Sequence, residues 1–155
     1  MINDEVYQVM RELREYLEPL WLNEPEIQRF GGYDDGRRMW GYCAIASYRL
    51  AQRLQALGYP AKFVKGKYDC YNHCWVELED KILDITATQF AIDNPLHVTF
   101  VDDCYYDKCT DVELDSEIDG FFREWAWQHP HRILPGEENA HFSVDGHRET
   151  TKSYS

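Results

Sequence analysis

Apolar residues near the start of the chain recur every three or four positions: Val6, Val9/Met10, Leu13 and Leu17. That spacing predicts an amphipathic helix from Ile2 to Glu18, ended by Pro19. Residues Asn23 to Arg38 mix Pro, Gly and Asp, which predicts a loop with turns. A second helical run, WGYCAIASYRLAQRLQAL, spans Trp40 to Leu57. It places Cys43, Ser47, Leu50, Leu54 and Leu57 near one stripe, with Ala46 and Ala51 on its margins. Gly58 suits the left-handed residue that closes such a helix, and Pro60 prevents its continuation.

The period then changes to two. Ala61 to Tyr68 predicts a strand, and Tyr71 to Leu78 (YNHCWVEL) a stronger one. In the second, His73, Trp75 and Glu77 share one face, while Cys74, Val76 and Leu78 share the other. Glu79-Asp80 is a short polar connection, and Lys81 to Thr86 a third strand. The hairpin register that follows sets Leu78 opposite Lys81 and Trp75 opposite Asp84. Beyond Thr86 the pattern fades. Phe100 to Tyr106 is short and mixed, Phe121 to Trp127 has an aromatic helical character, and the tail from His141 has little apolar content after Val144. With no repeat and no strong composition break, the 155 residues read as one α+β domain, an antiparallel sheet packed against a helix.

Composition narrows the partners. A formal charge of −12 lacks the basic patch that nucleic acid requires, and it disfavours an anionic membrane surface. Eight acids lie between Asp102 and Asp119 against the single base Lys108, so a basic protein partner fits by charge. That stretch lacks the central glycine and spacing of a calcium loop. The first residues are acidic where a signal peptide is basic, and no long apolar run follows. The expectation is therefore cytoplasmic, with a specialised secretion route left open. Five cysteines are an odd number, so at least one thiol is free, and in a reducing cytosol all five would be.

One thiol stands where chemistry needs it. Cys43 falls in the first turn of a predicted helix, where unpaired N–H groups and the dipole favour thiolate and can hold an oxyanion. His73, on a strand, suits a general base and acid. Asp84 interrupts the apolar run Ile82-Leu83-Asp84-Ile85, where a carboxylate is expensive unless paired. In the expected register His73 is diagonal to Asp84 on one face, so the carboxylate can orient the ring. Trp75, on the face of His73, is a candidate groove wall.

Cysteine, then strand histidine, then strand aspartate, carried by GYCAIASYRLAQRLQALGYPAKFVKG and NHCWVELEDKILDITATQF, resembles the core of transglutaminase-like proteins of bacteria and phages, within the papain-like cysteine enzymes. The resemblance covers Trp40 to Phe90 and centres on a catalytic core of about residues 37–90. It implies a papain-like fold with Cys43 as nucleophile, His73 as base and acid, and Asp84 as orienting group. Asp84, Thr86, Gln89 and Phe90 match a D-x-T-x-x-Q-F-like segment. The implied activity is acyl transfer through a thioester on a protein or peptide amide: proteolysis, deamidation or transamidation. No cofactor or metal is required. Papain's upstream glutamine has no counterpart near Cys43, since Gln28 is fifteen residues away. Trp40, and with it Trp75 and Gln89, are the candidates for the oxyanion region or substrate groove.

Two other readings use the same residues. Cys70, His73, Cys74, Cys104 and Cys109 form a potential zinc set, but on a strand Cys70 and Cys74 point away from His73, and the spacings match no standard pair. A non-catalytic binding or inhibitory domain would instead use the acidic surface from Asp102 to Asp119.

Overall fold

The computed structural model describes residues 2–23, 39, 42–90 and 92–114. Within them the chain runs α1 (Asp4–Leu22), α2 (Cys43–Ala56), β1 (Ala61–Tyr68), β2 (Tyr71–Leu78), β3 (Lys81–Asp84), a 3₁₀ turn (Ala87–Phe90), β4 (His97–Phe100) and β5 (Tyr106–Val112). All these elements belong to one unit, Met1–Glu113. The architecture is α+β: two helices and a five-stranded antiparallel sheet of order β4-β3-β2-β1-β5. None of the described helices is long and apolar enough to cross a membrane.

Helix α1 starts where Asn3 accepts the Val6 N–H at 2.9 Å, a side-chain N-cap. It does not stop at Pro19, as the sequence predicts, but runs one turn further to Leu22. Proline sacrifices one helical hydrogen bond there, yet the extra turn buries Trp21 completely, one helical repeat beyond Leu17. Asn23 N–H then closes the end on the carbonyls of Pro19 and Leu20.

Helix α2 begins at Cys43 rather than at Trp40, which lies outside the described residues. It packs against α1 on one side and against β1 and β2 on the other. That position explains why burial extends over every residue from Ile45 to Ala51 instead of one stripe, and why Leu57, past the sheet, is left 49% exposed. The helix closes as expected on Gly58, at φ +94°. Gly58 N–H donates to Gln55 O and Tyr59 N–H to Leu54 O, a Schellman pair.

β1 and β2 occupy their expected spans, and Leu78 pairs with Lys81 in the expected register. The third strand is shorter than predicted. It ends at Asp84, because Asp84 turns back to accept hydrogen bonds from Thr86 and the chain enters the 3₁₀ turn. β4 and β5 emerge from the stretch whose periodicity is weak. Both are edge strands, β4 half-buried and β5 mostly exposed beyond Tyr106, which is why they carry little hydrophobic pattern. The predicted helix from Phe121 to Trp127 lies outside the described residues, as do the last acids of the Asp102–Asp119 stretch.

The sheet curls strongly. Although β4 and β5 are opposite edges, the rings of His97 and Tyr106 are stacked 6.3 Å apart, and Tyr106 Oη reaches Asp84 on β3 at 2.8 Å. The curl makes an inner face of Val64, Trp75, Ile82 and Tyr106, with Tyr68 packed beside them. Gly66 sits in this concavity opposite His73, at an irregularity in the β1–β5 pairing. A Cβ there would lie 2.3 Å from Asp107 O and 2.6 Å from Trp75 Cη2, so only glycine lets β5 and the indole close over β1.

Candidate active site

Asp84 is buried, at the C-terminal end of β3, and its two oxygens are fully used. Oδ1 accepts the Thr86 N–H at 3.0 Å and the Thr86 hydroxyl at 3.2 Å. Oδ2 accepts the Tyr106 hydroxyl at 2.8 Å and His73 Nε2 at 2.7 Å. These donors repay the desolvation of the carboxylate. Burial pushes Asp84 up, but the His73 charge and the hydrogen bonds prevail and hold it below the usual carboxylate range. Arg14, reaching from α1, donates to the Ile85 carbonyl at 2.7 Å and so ties the turn after Asp84 to the helical layer.

An ionised Asp84 only accepts, so Nε2 of His73 carries the proton between them. The ring is enclosed by aromatics, with Phe90 edge-on at 4.8 Å and Trp75 at 6.0 Å between centroids. Burial works against a charged imidazole, yet the Asp84 carboxylate and the Cys43 thiolate outweigh it and raise His73 to about 10. Nδ1 is buried without a hydrogen-bond partner of ordinary geometry. Cys43 interacts with this ring. With Nε2 committed to Asp84 and Nδ1 without a partner, that contact falls short of a well-formed hydrogen bond.

Cys43 is the first residue of α2, and Tyr42 before it offers no side-chain acceptor to the first-turn amides. Cys43 has two neighbours on β2, the strand packed against α2: the Cys74 thiol and the His73 ring. Hydrogen bonding from the Cys74 thiol lowers the Cys43 thiol most. Burial opposes it, and the His73 charge and the Cys74 N–H add to the lowering. Cys74 itself is pushed up by donating to Cys43 and by burial, and stays a neutral thiol. The pair is thus disposed as thiolate and imidazolium.

Other sequence-derived site residues fall differently. Trp75 is 0% exposed, in the core cluster with Val64 and Ile82; a ring without exposed surface supports His73 from below and does not wall a groove. Gln89 donates its side-chain amide to the Thr86 carbonyl at 3.0 Å, which fixes the 3₁₀ turn. Trp40 and Gln28 lie outside the described residues. Cys70, Cys104 and Cys109 are exposed thiols, and among the described residues no group of three or more His, Cys, Asp or Glu is arranged to hold a metal ion.

Sequence reasoning missed Tyr106 and the role of Cys74. Tyr106 comes 22 residues after Asp84 on a different strand, and only the curl of the sheet joins them. For Cys74 a signal existed: it lies on the β2 face that meets the helix bearing Cys43. Compared with protein-family models, with curated proteins and with solved structures, the chain matches none, so its geometry alone speaks for the site.

Proposed function

We propose that this chain is a cysteine-dependent acyl-transfer enzyme of papain-like or transglutaminase-like type, acting on amide bonds of proteins or peptides. The observation that carries the reading is the series Cys43–His73–Asp84, with His73 Nε2 at 2.7 Å from Asp84 Oδ2, both side chains buried, and the half-buried Cys43 thiol as the ring's other ionisable neighbour. A structural histidine has no need of a thiolate neighbour, and a core cysteine has no need of a charged one.

In the proposed reaction the Cys43 thiolate attacks the amide carbon, and the carbonyl π electrons move to oxygen. The uncapped first-turn amides of α2 face the developing oxyanion. Collapse breaks the C–N bond as His73 gives its Nδ1 proton to the departing amine or ammonia. Water then attacks the thioester carbonyl, His73 takes the water's proton, and the C–S bond breaks to release a carboxylic acid and the thiolate. Asp84 holds the ring orientation and its positive charge throughout. Water is the favoured second nucleophile because no second substrate site is evident among the described residues, which makes a hydrolase or protein glutamine deamidase the leading assignment. Transamidation and proteolysis share the first half-reaction.

Alkylation with iodoacetamide across pH, read site by site by mass spectrometry, tests the reading. Cys43 should react with a midpoint well below the ordinary thiol value of about 8.5. A Cys43 with an ordinary thiol profile overturns the enzyme reading. Intact mass of glutamine-containing proteins incubated with the enzyme then separates the reactions. Replacement of NH₂ by OH marks deamidation, an amine adduct transamidation, and fragments proteolysis.

A further inference from the structure

Aromatic rings run outward from His73 to the surface. Phe90 lies edge-on to His73, Tyr68 stacks on Phe90 at 4.2 Å and 12°, and Tyr105 stacks on Tyr68 at 5.6 Å and 16°. Tyr71 lies beside Phe90 at 6.1 Å. The outer members, Tyr71 and Tyr105, are 60% and 54% exposed, a large apolar area beside the half-buried rings of Tyr68 and Phe90. A row built only for stability would bury its ends.

Carboxylates frame the exposed end. Asp103 is held there by its carboxylate, Oδ1 accepting the Tyr105 N–H at 3.0 Å and Oδ2 the Thr99 hydroxyl at 2.8 Å, while the Asp69 backbone N–H donates to the Tyr105 carbonyl at 2.8 Å. Burial first, and then the charge of Asp103 and more weakly that of Asp69, hold the Tyr68 phenol above its ordinary value. Among the described residues neither Asp69 nor Asp103 pairs with a Lys, Arg or His. Aromatic surface beside unneutralised carboxylates attracts a cation by both the ring quadrupole and charge. An apolar or acidic group would meet only one of these favourably, or neither.

We propose that Tyr71, Phe90, Tyr68 and Tyr105, with Asp69 and Asp103, form a substrate subsite for a lysine or arginine side chain a few residues from the reacting amide. This rests on the acyl-transfer reading of Cys43 and names its substrate class: basic segments of proteins.

Iodoacetyl peptides identical except for one residue, arginine, norleucine, phenylalanine or glutamate, test it through the rate at which each labels Cys43. Mass spectrometry must resolve the site, because Cys104 is exposed next to Tyr105. The arginine label should react about tenfold faster than norleucine and slowest of all should be glutamate, with the preference shrinking in salt. The arginine-to-norleucine ratio should fall towards one in Tyr105→Ala and in Asp69→Asn, the latter keeping a residue that tolerates the φ of +55° found there. Binding of the parent peptides to Cys43→Ala, followed by fluorescence anisotropy, should show the same order without any reaction. A ratio of one in the wild type, or a preference for phenylalanine over arginine, overturns the inference. If that happens while Cys43 still shows its depressed iodoacetamide profile, the acyl-transfer reading stands and the subsite alone fails.

Discussion

His73 and Asp84 lie on different strands, yet Nε2 of one is 2.7 Å from Oδ2 of the other, both side chains fully shielded from water. Much of the site's electrostatics follows from this contact. Asp84→Asn keeps the shape but removes the charge that supports imidazolium. His73 should drop from about 10, and Cys43 should lose the positive neighbour that helps lower it. The expected result is an alkylation midpoint for Cys43 displaced upward and turnover reduced about 10²–10⁴-fold. An unmoved midpoint in a folded variant would show that the carboxylate is only structural.

Tyr106 gives Asp84 one of its four hydrogen bonds and brings β5 over the inner face. In Tyr106→Phe the ring packing stays and the donor goes. Hydrogen bonds to charged groups contribute about 1.5–3 kcal/mol, so the unfolding free energy should fall by that amount, read as a lower denaturant midpoint with the slope unchanged. Turnover should fall less than in Asp84→Asn, because three donors still hold the carboxylate.

What the sequence revealed and concealed follows from the range of the interactions involved. Helix α2 and the β2–β3 hairpin are local objects, with period, breakers and a short connection all within a few residues, and Cys43, His73 and Asp84 ride on them. Tyr106 and Gly66 depend on sheet curl, which no window of sequence contains. Pro19 misleads for a related reason: its local penalty is real, but the burial of Trp21 is a tertiary gain that outweighs it. Arg14 sits within an apolar stripe where a charge is unexpected, and its partner, the Ile85 carbonyl, is 71 residues away.

Gly66→Ala should destabilise the fold without replacing Cys43, His73 or Asp84. The new methyl would lie 2.3 Å from a backbone oxygen of β5 and 2.6 Å from the Trp75 ring, neither the end of a flexible chain. Overpacking of this kind costs about 1–3 kcal/mol or more. Because the indole beneath His73 must move, the near-ultraviolet circular dichroism of the variant should change. Unaltered melting and spectrum would mean that β5 yields freely.

The thiolate–imidazolium pair also predicts a particular dependence of stability on pH. Unfolded, the histidine releases its proton near pH 6.5 and the thiol near 8.5, so between these values the two hold one proton. Folded, with Cys43 lowered and His73 at about 10, they also hold one, on the other partner. Equal proton counts mean no slope from this pair over that window. Above about pH 8.5 the unfolded pair holds none and the folded pair one until pH 10, so stability should fall there. In Cys43→Ala only His73 remains, and Asp84 still raises it. The folded state then holds a proton that the unfolded state loses from about pH 6.5 upward, and stability should decline by up to about 1.4 kcal/mol per pH unit. Denaturant titrations of both proteins from pH 6 to about 8.5 isolate the effect, since the Cys74 thiol, which Cys43 also raises, keeps its proton over most of that range folded and unfolded, and the remaining groups cancel in the difference. Curves that diverge between about pH 6.5 and 8.5 are expected; parallel curves would place the proton on sulfur, leaving His73 neutral beside an ordinary thiol.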